Sequence, residues 1–142
     1  QSRCAVFRFT QLSDEAIDRI VEFANSMPSN ESEIFIPHME GAPSRVPQYA
    51  TAYTHREAPF VLNIHTRWRE ALDDEKSLAW ARDFHRATEP YAQGVYVNFL
   101  SDEGEDRVRA AYTPPVWDRL TKLKTKYDKN NLFRMNQNIK PA

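Results

Sequence analysis

Glycine is scarce in this sequence: 142 residues contain only Gly41, Gly94 and Gly104. Loops that cradle phosphate need several glycines, so that backbone N–H groups can approach the oxygens. No cradle for a nucleotide or a pyrophosphate is therefore expected here. Cysteine is scarcer still, with Cys4 alone, which excludes an internal disulfide and a cysteine-based metal site. Cys4 reads as a small apolar residue of the first strand, and a reducing, cytoplasmic setting is the expectation. No run reaches the roughly 18 apolar residues of a membrane span. A formal net charge of −1 gives no basis for nucleic acid or an anionic membrane as partner. His38, His55, His65 and His85 lack the i, i+4 pairing of a helical zinc motif and no second ligand type clusters with them, so no metal site is expected.

What is present fits a folded domain. Hydrophobic residues make up 41% and charged residues 27%, an ordinary balance for a chain large enough to bury a core. The chain opens Gln1-Ser-Arg-Cys4, with neither an initiator Met nor the charged-then-apolar layout of a signal peptide. The expectation is a boundary placed at the edge of a strand.

Residues 5–9 form a short apolar and aromatic run that predicts a strand. Ser13 then stands as an N-cap, with Asp14 and Glu15 in the first turn, where carboxylates favour the helix dipole. Ile17, Ile20, Val21 and Ala24 follow at helical spacing until Met27-Pro28 ends the pattern. Residues 33–37 and 48–54 read as strands. Residues 60–68 are the clearest strand, with Phe60, Leu62, Ile64, Thr66 and Trp68 on one face and Val61, Asn63, His65 and Arg67 on a more polar, solvated one.

A second helix is predicted over residues 74–86, with Leu78, Trp80, Ala81 and Phe84 giving apolar cover and Pro90 breaking it. Residues 94–100 read as a further strand, with Tyr96, Asn98 and Leu100 on one face. An acidic loop over 102–106 leads to a helical turn at 108–112. Pro114-Pro115 opens the last helix, striped by Trp117, Leu120, Leu123 and Tyr127. Lys122, Lys124, Lys126 and Lys129 spread round that helix and read as a solvated face. Residues 128–133 read as a turn, in which Asp and Asn bond nearby backbone and Leu132-Phe133 return the chain to the core. Beyond Asn130 a polar tail punctuated by Leu132, Phe133, Met135 and Ile139 is expected to dock. The order β-α-β-β-β-α-β followed by helices predicts an α+β fold, an antiparallel sheet with helices packed on one face, a C-terminal helix and a docking tail.

Several segments carry a family resemblance. Tyr96-x-Asn98-Phe99 matches Y-x-N-[YF]. Leu120, Lys124, Tyr127 and Asp128 match L-x-x-x-K-x-x-Y-D. Asn131, Phe133, Arg134, Asn136, Gln137, Ile139 and Pro141 match N-x-F-R-x-N-Q-x-I-x-P. In these the chain resembles the C-terminal part of the berberine-bridge-type FAD-linked oxidases. Tyr53-Thr54-His55-Arg56 is similar to that family's F-x-H-R, with Tyr53 for the commoner Phe. Met39-Glu40-Gly41-Ala42 is similar to L-G-G-A, with Glu40 in place of the first glycine.

The resemblance implies a partial substrate-binding domain over 1–93 and a berberine-bridge-type segment over 94–142, in one compact unit. It implies FAD in a full-length parent, held mainly by a domain outside this chain, and hydride transfer from an alcohol- or amine-type donor. Tyr96 would be the catalytic proton acceptor, Asn98 a flavin contact, and Tyr53, His55 and Arg56 substrate-binding residues. Alone, the chain is expected to be inactive. The partners implied are the FAD-binding domain and a small-molecule substrate.

Read without the resemblance, the residues leave other functions open. A β-α-β-β…α-β order also suits a ferredoxin-like module that dimerises through its open sheet face. It suits equally a cofactor-free monooxygenase with His55 or His65 and Tyr96 lining a pocket.

Overall fold

The computed structural model describes residues 2–100 and 104–142, with residues 2–6 described by their backbone alone. The side chain of Cys4 and the start of the acidic loop at 102–103 lie outside what is described. A three-stranded antiparallel sheet is built from β1 (Ser2–Phe9), β2 (Glu33–Phe35) and β3 (Phe60–Arg67), in the order β1-β3-β2. β1 and β3 pair along their full length, Phe7 opposite Leu62 and Phe9 opposite Phe60. With the helices described below, this is an α+β fold.

Two helices cover one face of the sheet. In α1 (Asp14–Asn25) the Ser13 hydroxyl accepts from the Ala16 amide, the predicted cap. α3 (Asp74–Thr88) buries Ser77, Trp80, Ala81, Phe84 and Thr88, one stripe at helical spacing. Phe23 of α1 stacks on Phe84 of α3 at 4.8 Å, and the Trp80 indole N–H donates to the Phe23 carbonyl at 3.2 Å. Phe7, Phe9, Leu62, Ile64 and Phe84 are the centre of the core. Each such side chain stabilises the fold by about 1.5–3 kcal/mol relative to exposure. The face of α1 that turns inward is Ala16, Ile20 and Phe23, whereas Ile17 and Val21, expected inside, are exposed.

The rest of the chain is less regular. α2 (Ala42–Arg45) is a single turn, and α4 (Glu105–Ala110) and α5 (Pro114–Tyr127) follow the sheet. Pro114-Pro115 opens α5 as expected, because a first-turn proline loses no hydrogen bond. Glu89–Tyr91 forms a 3-10 turn where Pro90 ends the helical pattern.

Two predicted strands do not form. Residues 48–54 are turns and irregular backbone: the Ala50 amide returns to the Pro47 carbonyl, and the Thr51 hydroxyl accepts from the Tyr53 amide. Residues 94–100 pair with the sheet only at Gly94, opposite Arg8. Val97–Phe99 then closes a 3-10 turn, with the Phe99 amide donating to the Tyr96 carbonyl. A run of β-branched and aromatic residues was read as strand, and tertiary pairing decided otherwise. The two-faced reading of Tyr96 and Asn98 lapses with it. So does the final strand that the ferredoxin-like order requires.

The second face of β3 is not solvated either. Val61 is buried and Asn63 is 2% exposed, beneath irregular chain. The Val61 amide donates to the Pro37 carbonyl, and Arg8, paired with Val61, reaches residues 53 and 58. His65 instead joins Glu33 and Arg67 at the surface. No helix among the described residues is long and apolar enough to cross a membrane.

Candidate functional site

Arg8 sits between Phe7 and Phe9 in β1, so alternation turns it away from the aromatic core. It is 2% exposed. Its guanidinium donates from Nη1 to the Tyr53 hydroxyl at 2.5 Å and from Nη2 to the Ala58 carbonyl at 3.1 Å. Tyr53 is flanked by two cations: the Arg8 Cζ lies 4.8 Å from its ring centroid and the Arg56 Cζ 4.7 Å. Residues 53–58 are thus drawn against the sheet although they form no regular structure.

The same loop is anchored at other points. The buried Thr54 hydroxyl donates to the Ala111 carbonyl at 2.7 Å. His55 adopts φ 55°, and its Nε2 bonds the Ala110 carbonyl at 3.2 Å. Since the partner is a carbonyl, Nε2 must carry the proton. The imidazole lies flat against Gly94, where a Cβ would come within 2.6 Å of the ring. Gly94 is therefore needed for close approach. Gly41 answers a different need, a φ of 81° in open space.

These contacts enclose a pocket of about 270 Å³ lined by Arg8, Tyr53, Thr54, Tyr96, Asn98 and Tyr112, among others. Tyr96 meets Tyr53 edge to face at 5.7 Å. The Asn98 amide donates to the Tyr96 hydroxyl at 2.8 Å. The tyrosine oxygen thus accepts one hydrogen bond from the amide beside it. Burial pushes the Tyr112 hydroxyl above its ordinary pKa, so it stays a protonated donor at neutral pH.

Of the predicted site residues, the fold brings Tyr53, Tyr96 and Asn98 into this pocket. His55 and Arg56 are not among its lining residues. Arg56 donates to the Pro43 carbonyl at 2.6 Å and to the Thr51 hydroxyl at 2.8 Å, bracing the loop. Sequence reading missed Arg8, Thr54 and Tyr112. For Arg8 a signal existed: a lone cation inside an otherwise apolar strand must find polar partners once buried.

The C-terminal signature folds on itself. The Asp128 carboxylate accepts from the Leu132 amide at 2.7 Å and the Phe133 amide at 3.1 Å, and Asn131 takes φ 52°. Lys124 is not solvated. It pairs with Asp128 and donates to the Phe133 carbonyl at 2.5 Å. Leu132 and Phe133, expected to return to the core, are 76% and 81% exposed. The tail docks through polar groups, with Gln137 donating to the Leu100 carbonyl and the Ala142 amide donating to Thr125 at 2.9 Å.

Residues 95–140 match the family model for berberine and berberine-like proteins. The chain is 31% identical over 130 residues to YvdP of Bacillus subtilis (strain 168), described as an uncharacterized FAD-linked oxidoreductase. That alignment takes in 92% of this chain and 29% of the relative. Tetrahydroberberine oxidase of Berberis wilsoniae is 29% identical over 129 residues, covering 79% of this chain and 24% of its own length. Among solved structures, berberine bridge enzyme from Eschscholzia californica superposes with TM-score 0.85 at 20% identity, over 99% of this chain and 33% of that one. A glycopeptide hexose oxidase complexed with teicoplanin gives TM-score 0.86 at 22% identity, over 99% and 32%. The chain spans less than a third of the length of the curated relatives it matches. Residues 95–140 carry the berberine-like domain of that family, and what the chain shares with the two solved structures is the fold.

Proposed function

We propose that this chain is the C-terminal substrate-domain portion of an FAD-dependent oxidoreductase that oxidises an alcohol- or amine-type donor by hydride transfer to flavin. The observation that carries this reading is the convergence of Tyr53, Tyr96 and Asn98 on one pocket, with Tyr96 and Asn98 inside the matched segment. Relatives named as FAD-linked oxidoreductases support the cofactor.

The residues fit one end of that cofactor. A phenol and an amide beside an aromatic pocket suit a flavin ring, whereas three scattered glycines provide no pyrophosphate cradle. Bound flavin would supply the hydride acceptor. Tyr96 Oη, in its phenolate form, is the group that takes the proton from the donor's hydroxyl or amine as hydride leaves the neighbouring carbon. Asn98 orients that oxygen through its 2.8 Å hydrogen bond. Tyr53, edge to face with Tyr96, forms the adjoining wall for substrate, and His55 and Arg56 serve substrate binding by holding the loop that carries it.

Residues 1–93 and 94–142 work as one unit in this reading. The Arg8 amide donates to Gly94 and Thr54 to Ala111, which ties the two stretches together at the pocket. The FAD-binding domain is the partner that would cover the exposed Tyr127, Leu132, Phe133 and Met135. The single cysteine supports a cytoplasmic setting. Without the flavin domain the chain is inactive.

The test is anaerobic single-turnover reduction of flavin in the full-length enzyme. Tyr96→Phe should slow it by at least roughly tenfold, and an unchanged rate would reduce Tyr96 to packing. The purified 142-residue chain should show no flavin absorbance in the visible. A stoichiometric yellow chromophore would sink the division of labour.

A further inference from the structure

Among the described residues the Arg8 guanidinium has no counter-charge. No carboxylate among the described residues forms an ion pair with it, nor with Arg56 on the other side of Tyr53. Arg8 is nevertheless 98% buried, and its Nε–H is buried without an acceptor. Leaving a cation in such a place is costly unless a neighbouring group compensates it. Tyr53 and Ala58 take only part of the donor capacity of a guanidinium. The π face of Tyr53 offsets part of the charge of Arg8, but it is shared with a second cation.

The unpaired charge lies in the wall of the pocket, and the other walls include Tyr53, Tyr96 and Tyr112. A guanidinium fork matches a planar carboxylate, and tyrosine rings match a flat apolar body. A pocket of about 270 Å³ has room for a single aromatic ring with its carboxylate. We propose that Arg8 makes this pocket an anion subsite, and that the ligand it takes is a small aromatic carboxylate. The proposal uses the pocket of the proposed function and names the class of donor that it admits. It uses no property of flavin, and its test needs none.

The experiment is an NMR titration of the isotopically labelled 142-residue chain with benzoate, and separately with benzyl alcohol, which keeps the ring and lacks the charge. Benzoate should give saturable shifts at the backbone amides of Tyr53, Tyr96 to Asn98 and Tyr112 and at the Arg8 side-chain N–H. Its affinity should exceed that of benzyl alcohol by at least about tenfold, the scale of a desolvated charge pair. Arg8→Lys should keep a preference for the anion, and Arg8→Met should abolish it. If the buried Met fails to fold, the benzoate-to-benzyl-alcohol ratio on the unmodified chain still decides. Equal affinities, shifts confined to other surfaces, or no saturable binding of benzoate would each overturn the proposal. Because no flavin is present, such a failure leaves the hydride-transfer reading standing. An unchanged flavin reduction rate in Tyr96→Phe would leave the anion subsite standing.

Discussion

Residues 53–58 and residues 128–133 are both irregular segments carrying family-like motifs, and they are held in opposite ways. The first is fixed by partners far along the chain: Arg8 reaches Tyr53 and Ala58, Thr54 reaches Ala111, and His55 reaches Ala110. The second is fixed by itself, through Asp128, Lys124 and the amides of Leu132 and Phe133. The long-range loop encloses a pocket, and the self-contained turn leaves apolar side chains outside, Met135 at 83% exposure among them. Distant partners must be in place before the first segment has any shape, whereas the second closes a short loop at small entropic cost. The pocket should therefore fail as a unit when one of its anchors is lost, and the turn should fail alone.

The largest effect expected from breaking that contrast is at Arg8. Arg8→Ala leaves a cavity and strips donors from the Tyr53 hydroxyl and the Ala58 carbonyl, at a cost of about 3 kcal/mol. Urea unfolding should read it, and hydrogen exchange should show residues 53–58 and 94–98 losing protection together. A loss below about 1 kcal/mol would mean that the loop is held by something other than Arg8. Next in size is Gly94→Ala. The new methyl would meet the His55 ring at 2.6 Å, and the imidazole cannot move without giving up Ala110, so about 2 kcal/mol is expected. His55→Ala in the same background should recover part of it, and a lack of recovery would deny the close packing. Thr54→Val comes third, at about 1 kcal/mol, because it orphans the Ala111 carbonyl. The same exchange experiment should find residues 128–133 unchanged in all three variants.

Legibility from sequence follows the same division. The Asp128 turn was readable because Asp and Asn act on their own neighbours. Ser13 and Pro114-Pro115 were readable for that reason too, and β3 because alternation is a local pattern. Arg8 was not found, since its role depends on a tyrosine 45 residues away. The strand expected at 94–100 failed because its β-branched residues say what fits a pleated surface, not whether an edge is available. At Gly94 the edge of β1 is used for one bridge, and the chain turns away. Tyr53, Tyr96 and Asn98 were identified from a motif resemblance, and their meeting in one pocket became visible only in three dimensions.

The smallest expected effect belongs to the self-contained turn, and it depends on pH. The Lys124 ammonium beside Asp128, and the Leu132 and Phe133 amides after it, hold the carboxyl below its ordinary pKa. A folded-state pKa depressed in this way adds stability that is fully present above the unfolded value, near about 4. That stability is lost as pH falls through the lower folded value. Asp128→Asn should therefore be less stable than the parent chain at pH 6, and the gap should shrink on acidification below the usual carboxylate range. Paired thermal melts between pH 6 and pH 3 would show it. Amide exchange at Leu132 and Phe133 should speed up in the variant while residues 53–58 keep their protection. A gap that stays constant across that range would remove Asp128 as the group that holds the turn, and a pocket loop that loosens with it would erase the contrast between the two segments.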